Sequence, residues 1–139
     1  MKNKMKKGFT LIEVMVVIVI LGLLASVVVP NIMGKSKEAK INLACLNIKH
    51  FDTQLQSFKM DNGKYPTTEE GLNALLSNPN PEKYKKYPKT PYLNMKKIPA
   101  DPWGNDFIYM KEGKTPNIYS MGPDGEEDTE DDISLENCE

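Results

Sequence analysis

The chain has 139 residues, with 18 basic and 19 acidic side chains and a formal net charge of −1. This length fits a single domain, and the charge balance excludes a strongly basic nucleic-acid-binding domain. Two cysteines and one histidine are too few for a disulfide-rich scaffold, for a zinc site of thiolates or for a zinc site of several histidines.

The first part of the chain combines a basic leader with a long apolar segment. Four lysines and no acidic residue lie in the first eight positions, and residues 9–29 carry a single charged side chain, Glu13. As a helix, this segment would be about 30 Å long, which matches the hydrocarbon thickness of a bilayer. We therefore expect a transmembrane helix whose basic N-terminal flank stays in the cytoplasm.

Glu13 distinguishes this segment from a simple signal anchor, and the apolar run is too long for an ordinary secretory signal peptide. A carboxylate inside a membrane helix is costly and is normally paired. No lysine lies within one turn after Glu13. Its partner must therefore come from another chain or from a newly formed N-terminus.

Residues 6–13 read KKGFTLIE and resemble the class III signal of type IV pilins and type II secretion pseudopilins. The resemblance implies that a prepilin peptidase cleaves between Gly8 and Phe9 and that the new Phe9 amine is methylated to N-methylphenylalanine. It also implies that Glu13 pairs with the N-terminal amine of a neighbouring subunit, because such an ion pair is stronger in a low-dielectric helix bundle than in water. Residues 1–8 are then a discarded leader, and residues 9–30 form a retained transmembrane and assembly helix.

The helical pattern continues beyond Pro30, where a kink is predicted. Apolar residues then recur at spacings of three and four, as on one face of an amphipathic helix. They are Ile41, Ala44, Ile48, Phe51, Leu55 and Phe58. With Gly63 as its C-terminal cap, one long stem from about residue 10 to about residue 62 is predicted, with this stripe as a packing face. His50 lies beside the stripe and is assigned no role.

The remaining residues, 64–139, are too few to bury a large core alone, and we expect them to pack on the stem. Thr67 and Glu70 match a capping box and predict a short second helix. Residues 79–102 contain six prolines and six lysines, which is typical of a loop.

Two strand-like runs, residues 107–109 and 118–120, are separated by a hairpin signal at 112–116. The predicted fold class is α+β. It consists of a long N-terminal helical stem, a short second helix and a small antiparallel sheet packed on the C-terminal half of the stem.

Three further segments resemble the major pseudopilins of type II secretion systems: YPTTEEGL at 65–72, DPWGN at 101–105 and SMGPDG at 120–125. The resemblance implies a structural subunit and not an enzyme, with residues 31–139 as a pilin-like periplasmic domain. Copies would stand in the inner membrane as single-pass proteins and assemble into a helical filament, the periplasmic pseudopilus. Growth of that filament would drive export of folded proteins across the outer membrane. The implied partners are further copies of this chain, minor pseudopilins, the inner-membrane secretion platform and the prepilin peptidase, with no nucleic acid.

Other functions remain alternatives. A type IV pilin for adhesion, motility or DNA uptake would share the N-terminal motif but not the C-terminal segments. An anchored, monomeric calcium-dependent binding module would not need Glu13 or the leader motif. A hydrolase using Asp131 and Asp132 would need a partner base or nucleophile that the sequence does not indicate.

The segment from 121 to 133, which reads MGPDGEEDTEDDI, is called here the acidic loop. Its charges alone would suit a solvated acidic segment. Its glycines and proline predict a tight turn, and oxygen donors in a flexible loop suit calcium, although the EF-hand spacing is absent. The family resemblance implies one bound calcium ion. The ligands implied by position are the carboxylates of Asp124, Asp131 and Asp132, the hydroxyl of Thr129, and the main-chain carbonyls of Met121 and Glu126.

Cys45 and Cys138 depart from the family pattern, since major pseudopilins commonly lack cysteine. In an oxidising exterior they could form a disulfide that ties the C-terminal residues to the stem. The alternative is two free thiols, with Cys45 buried and Cys138 exposed.

Overall fold

The computed structural model describes residues 7–138, with the side chains of residues 28–34 outside that description. A single long helix, α1, runs from Leu11 to Asn62. It ends where the sequence predicts, because Gly63 takes the left-handed conformation (φ 81°) that suits a helix C-cap. Pro30 lies among the residues whose side chains are outside the description, and the kink at that position stays a prediction.

Two compact units can be distinguished, one that ends at Glu38 and one that begins at Ala39. The functional boundary between residues 30 and 31 stays a prediction. Within the N-terminal part, the large apolar side chains described on α1 are exposed, including Leu11, Ile18 and Val27. Among the described residues, no helix contains a stretch both long and apolar enough to cross a bilayer. The leader lysines before Lys7 lie outside the described residues.

The C-terminal part has its core on the predicted stripe of α1. Five of the six stripe residues are buried, and Ile41 packs partly buried against them. His50, beside the stripe, is exposed. The 3.6-residue period of the helix thus places one apolar face against the rest of the domain, as predicted.

The predicted second helix is a four-residue 3₁₀ helix, Leu72–Leu75. The capping-box hydrogen bonds are formed: the Thr67 amide donates to Glu70 Oε2 (3.0 Å) and the Glu70 amide donates to Thr67 Oγ1 (3.2 Å). Residues 68–70 nevertheless form a turn, since Gly71 follows with φ 59° and ψ −162°, outside helical geometry. The helix therefore starts only at Leu72, after Gly71, and remains short.

The proline- and lysine-rich segment, residues 79–102, has no regular secondary structure, as predicted. Its tyrosines nevertheless pack against the C-terminal end of α1. The rings of Tyr84, Tyr87 and Tyr92 lie 5.0, 6.0 and 5.5 Å from the ring of Phe58, measured between centroids. Tyr92 donates a hydrogen bond to Asp61 at 2.7 Å. Burial of these rings orders a segment that composition alone describes only as a loop.

Three short strands form an antiparallel sheet in the order β1–β2–β3. Their bounds are Ile108–Met110, Asn117–Ser120 and Ile133–Ser134. The first two pair as the predicted hairpin, with Tyr109 opposite Ile118. The third strand was not located from the sequence. It pairs Ile133 with Ser120 and brings the end of the acidic loop back to its beginning.

Candidate functional site

The predicted processing and assembly residues lie at the start of α1. Gly8 and Phe9 precede the helix, and the Phe9 side chain is 83% exposed. The Glu13 amide donates to Thr10 Oγ1 (3.3 Å), and the Thr10 amide donates to Glu13 Oε2 (3.4 Å). Glu13 thus belongs to a capping box, a local role beyond the assembly role that the family resemblance implies.

The acidic loop begins at a buried hydrogen-bonded network. Asp101 is 4% exposed, and its Oδ2 accepts a hydrogen bond from Ser120 Oγ at 2.7 Å. Its Oδ1 accepts from the amides of Trp103 (3.0 Å) and Asn105 (2.8 Å). Ser120 Oγ in turn accepts from the Gly122 amide at 3.1 Å. The turn at 101–104, the end of β2 and the start of the loop are therefore held together.

Gly122 lets the two ends of the acidic loop approach closely. Its φ is 69°, and a Cβ at this position would lie 2.1 Å from the main-chain oxygen of Asp131. Only glycine fits both the backbone conformation and the space. This close approach places residues 131 and 132 beside the start of the loop.

Four of the six predicted metal ligands lie together in the folded loop. The Thr129 hydroxyl lies 3.4 Å from the Glu126 carbonyl oxygen and 3.4 Å from Asp132 Oδ1. The Glu126 amide donates to Asp124 Oδ1 at 3.0 Å. This hydrogen bond is the main cause that lowers the pKa of Asp124, and a hydrogen bond with Thr129 acts in the same direction.

The other two predicted ligands are placed differently. Met121 is half-buried beside Gly122, and Asp131 meets Gly122 through its main chain, with its side chain exposed. Among the described residues, no three histidine, cysteine, aspartate or glutamate side chains are grouped closely enough to hold a metal ion. The grouped donors are thus a mixed set of carboxylate, hydroxyl and carbonyl oxygens, the donor chemistry that calcium accepts.

The two cysteines form a disulfide. Cys45 on α1 and Cys138 near the C-terminus are 93 residues apart in sequence, and their Cα atoms are 5.4 Å apart. Both residues are buried. Of the two possibilities that the sequence left open, the structure has the bridge.

Sequence reasoning missed Asp101 and Ser120 as organisers of the loop, and Thr10 as the partner of Glu13. The Thr10 role had a visible signal, because Thr-x-x-Glu is the capping-box pattern. Asp101 and Ser120 are 19 positions apart, and nothing in their sequence spacing indicates that they meet.

Comparison with known proteins places nearly the whole chain in described families. Residues 31–137 match the family "Type II secretion system (T2SS), protein G", and residues 3–29 match the "Prokaryotic N-terminal methylation motif". The second match spans most of the predicted leader and the apolar segment, and the first spans the rest of the chain up to residue 137.

Individual relatives agree with these matches. The chain is 46% identical over 134 residues to the type II secretion system core protein G of Dickeya chrysanthemi, covering 94% of this chain and 86% of that protein. It is 47% identical over 137 residues to the core protein G of Aeromonas hydrophila, covering 96% and 94%. The crystal structure of the major pseudopilin from the type 2 secretion system of enterohaemorrhagic Escherichia coli matches with a TM-score of 0.63 at 36% identity. That match covers 77% of this chain and 95% of the solved one.

Proposed function

The chain belongs to the protein G family of type II secretion systems and is a structural subunit of the pseudopilus, not an enzyme, and we propose that it assembles as a helical filament through its apolar N-terminal helix. Growth of the filament would drive folded proteins across the outer membrane. A pilin for adhesion or motility is disfavoured, because the family match extends through residues 31–137.

The observation that carries the assembly proposal is the exposed apolar surface of α1. Leu11, Ile12, Val19 and Leu24 each expose more than half of their side-chain area. Exposed apolar side chains that adjoin one another along a helix are characteristic of protein or membrane contacts. We propose that the subunit stands in the inner membrane as a single-pass protein, with its C-terminal domain in the periplasm, and that this surface passes from lipid contacts to contacts with neighbouring copies. Minor pseudopilins and the inner-membrane platform are the further partners proposed.

Cleavage by a prepilin peptidase between Gly8 and Phe9 would create the amine that Glu13 needs. In the isolated chain the Glu13 carboxylate accepts a hydrogen bond only from the exposed amide of Thr10 among the described contacts. An ion pair with a neighbour's amine in an apolar bundle would be far stronger than this solvent-exposed bond.

The assembly proposal is tested by co-expressing the full chain with a prepilin peptidase and the secretion platform, then imaging sheared filaments. Glu13→Gln retains an acceptor for the capping bond but removes the charge, and Thr10→Val removes the capping hydroxyl but retains the charge. We expect processing in both variants, filaments with Thr10→Val and none with Glu13→Gln. Filaments of wild-type abundance from Glu13→Gln would overturn the proposed ion pair.

We also propose that the acidic loop binds one calcium ion. Asp124 and Asp132 would supply carboxylate oxygens, Thr129 its hydroxyl, and Glu126 its main-chain carbonyl. Met121 and Asp131 would complete the ligand set. The fit is supported by the mutual proximity of Glu126, Thr129 and Asp132 and by the purely oxygen donor set. Bound calcium would offset the repulsion among the loop carboxylates.

Thermal unfolding of the processed, detergent-solubilised subunit in calcium, magnesium or EGTA tests this second proposal. Wild type should unfold at a higher temperature in calcium than in EGTA. Asp132→Asn should abolish the difference, whereas Glu130→Gln, an exposed carboxylate of the same loop outside the proposed ligand set, should retain it. A wild-type midpoint that is the same in calcium and in EGTA would refute the calcium site.

A further inference from the structure

The five residues that follow the acidic loop, Ser134–Cys138, are called here the tail. The tail leaves β3, forms a short 3₁₀ helix over Leu135–Asn137 and ends at the disulfide with Cys45 on α1. The bridge is therefore the covalent attachment between the stem and the C-terminal side of the acidic loop.

The other side of the loop has a different attachment. There, Ser120 and the buried Asp101 hold the amide of Gly122 through hydrogen bonds. The loop is thus held at its start by a buried polar network. At its end it is held by the pairing of Ile133 with Ser120 and by the bridged tail.

Asn137 links the bridge to a proposed calcium ligand. It directly precedes Cys138, its Nδ2 donates to the main-chain oxygen of Asp132 at 3.1 Å, and its Oδ1 accepts from Ser134 Oγ at 2.7 Å. The Asp132 carboxylate accepts a hydrogen bond from the Asp128 amide at 2.9 Å and lies beside the Thr129 hydroxyl. The connection from the disulfide to the donor group of the loop therefore passes through the peptide bond between Cys138 and Asn137 and the hydrogen bond from Asn137 to Asp132.

Asp128 is a second residue whose conformation depends on the position of Asp132. Its φ is 60°, a left-handed conformation that costs a non-glycine residue free energy. The hydrogen bond from its amide to Asp132 offsets that cost only while Asp132 stays in place. Loss of the tail attachment would let both residues relax.

We propose that the Cys45–Cys138 disulfide and Asn137 position the cation site, by holding Asp132 where the acidic loop needs its carboxylate. The expected change in calcium affinity rests on the proposed calcium function, whereas the expected change in hydrogen exchange without metal does not. Asn137 is a positioning residue and not a ligand, since its contacts are with the main chain of Asp132 and with Ser134. Groups that hold metal ligands in place commonly contribute about 10- to 100-fold to metal affinity.

The test uses the full processed chain in detergent, with four forms: wild type, Cys45→Ala/Cys138→Ala, Asn137→Ala and Glu136→Gln. Glu136 is exposed and adjacent to Asn137 in the same 3₁₀ helix, which makes it the matched control. Calcium affinity is measured by calorimetric titration. We expect about tenfold weaker binding in the bridge-free and Asn137→Ala variants and wild-type affinity in Glu136→Gln. Wild-type affinity in the bridge-free variant would overturn the proposal.

Hydrogen exchange in EGTA provides the metal-free measurement. Loop amides, above all that of Asp128, should exchange about tenfold faster in Asn137→Ala, while amides of α1 between residues 48 and 58 keep their protection in that variant. Unchanged loop exchange, or equal acceleration in α1, would refute the positioning role. If wild type binds no calcium but the loop exchange responds as expected, the calcium proposal fails and the positioning of Asp132 stands.

Discussion

Ser120 and Asp101 meet in the interior of the C-terminal domain, with Ser120 Oγ 2.7 Å from Asp101 Oδ2. The contact joins the end of β2 to the turn that begins at Asp101. The same hydroxyl accepts the hydrogen bond of the Gly122 amide. A residue pair outside the acidic loop therefore determines where that loop starts.

Ser120→Ala should lower the free energy of unfolding by about 1–3 kcal/mol, because it leaves the buried Asp101 oxygen and the Gly122 amide without their partner. Urea unfolding of the detergent-solubilised subunit measures the effect. Ser57→Ala on α1 removes a hydroxyl that donates to the main-chain oxygen of Thr53 in the preceding helical turn and should change stability by less than about 0.5 kcal/mol. Equal effects in both variants would contradict the special role of Ser120.

Gly122→Ala should disrupt the acidic loop, because the new Cβ would collide with the main chain of Asp131. Gly113→Ala is the matched control, since Gly113 also has positive φ but a Cβ added there would meet no heavy atom within 4 Å. The control should cost about 1 kcal/mol, the usual penalty for a non-glycine residue in this conformation. Gly122→Ala should cost more and remove the calcium-dependent rise in unfolding temperature. Identical unfolding midpoints for the two variants would contradict the steric argument.

Glu70→Gln should change how stability depends on pH. Burial raises the pKa of Glu70, but hydrogen bonds from Tyr84, the Thr67 amide and Lys83 together lower it below 4.5. Because the folded pKa is the lower one, these contacts stabilise the protein above about pH 4.5 and lose their effect as the pH falls through the folded pKa.

The variant should lose about 1–3 kcal/mol at neutral pH and show a smaller further loss below about pH 4.5 than wild type. Urea unfolding at a series of pH values measures both effects. Glu69→Gln, at the exposed neighbouring position, should follow the wild-type profile. A Glu70→Gln profile parallel to that of wild type would show that Glu70 is not the titrating group.

The disulfide should resist reduction in the folded protein, since Cys45 and Cys138 are only 8% and 7% exposed. Treatment with a phosphine reductant and iodoacetamide should add no alkyl group to the native subunit and two after unfolding in urea, as read by mass spectrometry. Cys45→Ala/Cys138→Ala should lower the free energy of unfolding by about 4–5 kcal/mol, because the native bridge closes a long loop in the unfolded chain and so restricts its conformations. Rapid alkylation of the native protein would show that the tail detaches readily.

Local patterns were sufficient for the elements whose determinants lie close together in sequence. The apolar stripe of α1 and the cap at Gly63 follow from helical periodicity and from the backbone freedom of glycine. The β1–β2 hairpin follows from two strand-like runs around a turn. The capping box at Thr67 was also correct. The helix that it predicts is replaced by a turn and a 3₁₀ helix, because Gly71 leaves helical geometry. The contacts of Glu70 with Tyr84 and Lys83 also outweigh local helix propensity.

By itself, the sequence determined the leader, the apolar segment with its single Glu13, the stem and the oxygen-rich loop, because each depends on composition or short-range spacing. Only the tertiary structure decided that Asp101 holds Ser120, that Gly122 admits the main chain of Asp131, and that Cys45 bonds to Cys138. These contacts join residues distant in sequence, and their positions depend on how the sheet and tail pack against the buried face of α1. No local pattern carries that information, since a side chain's long-range partner is selected by the packing of the whole domain.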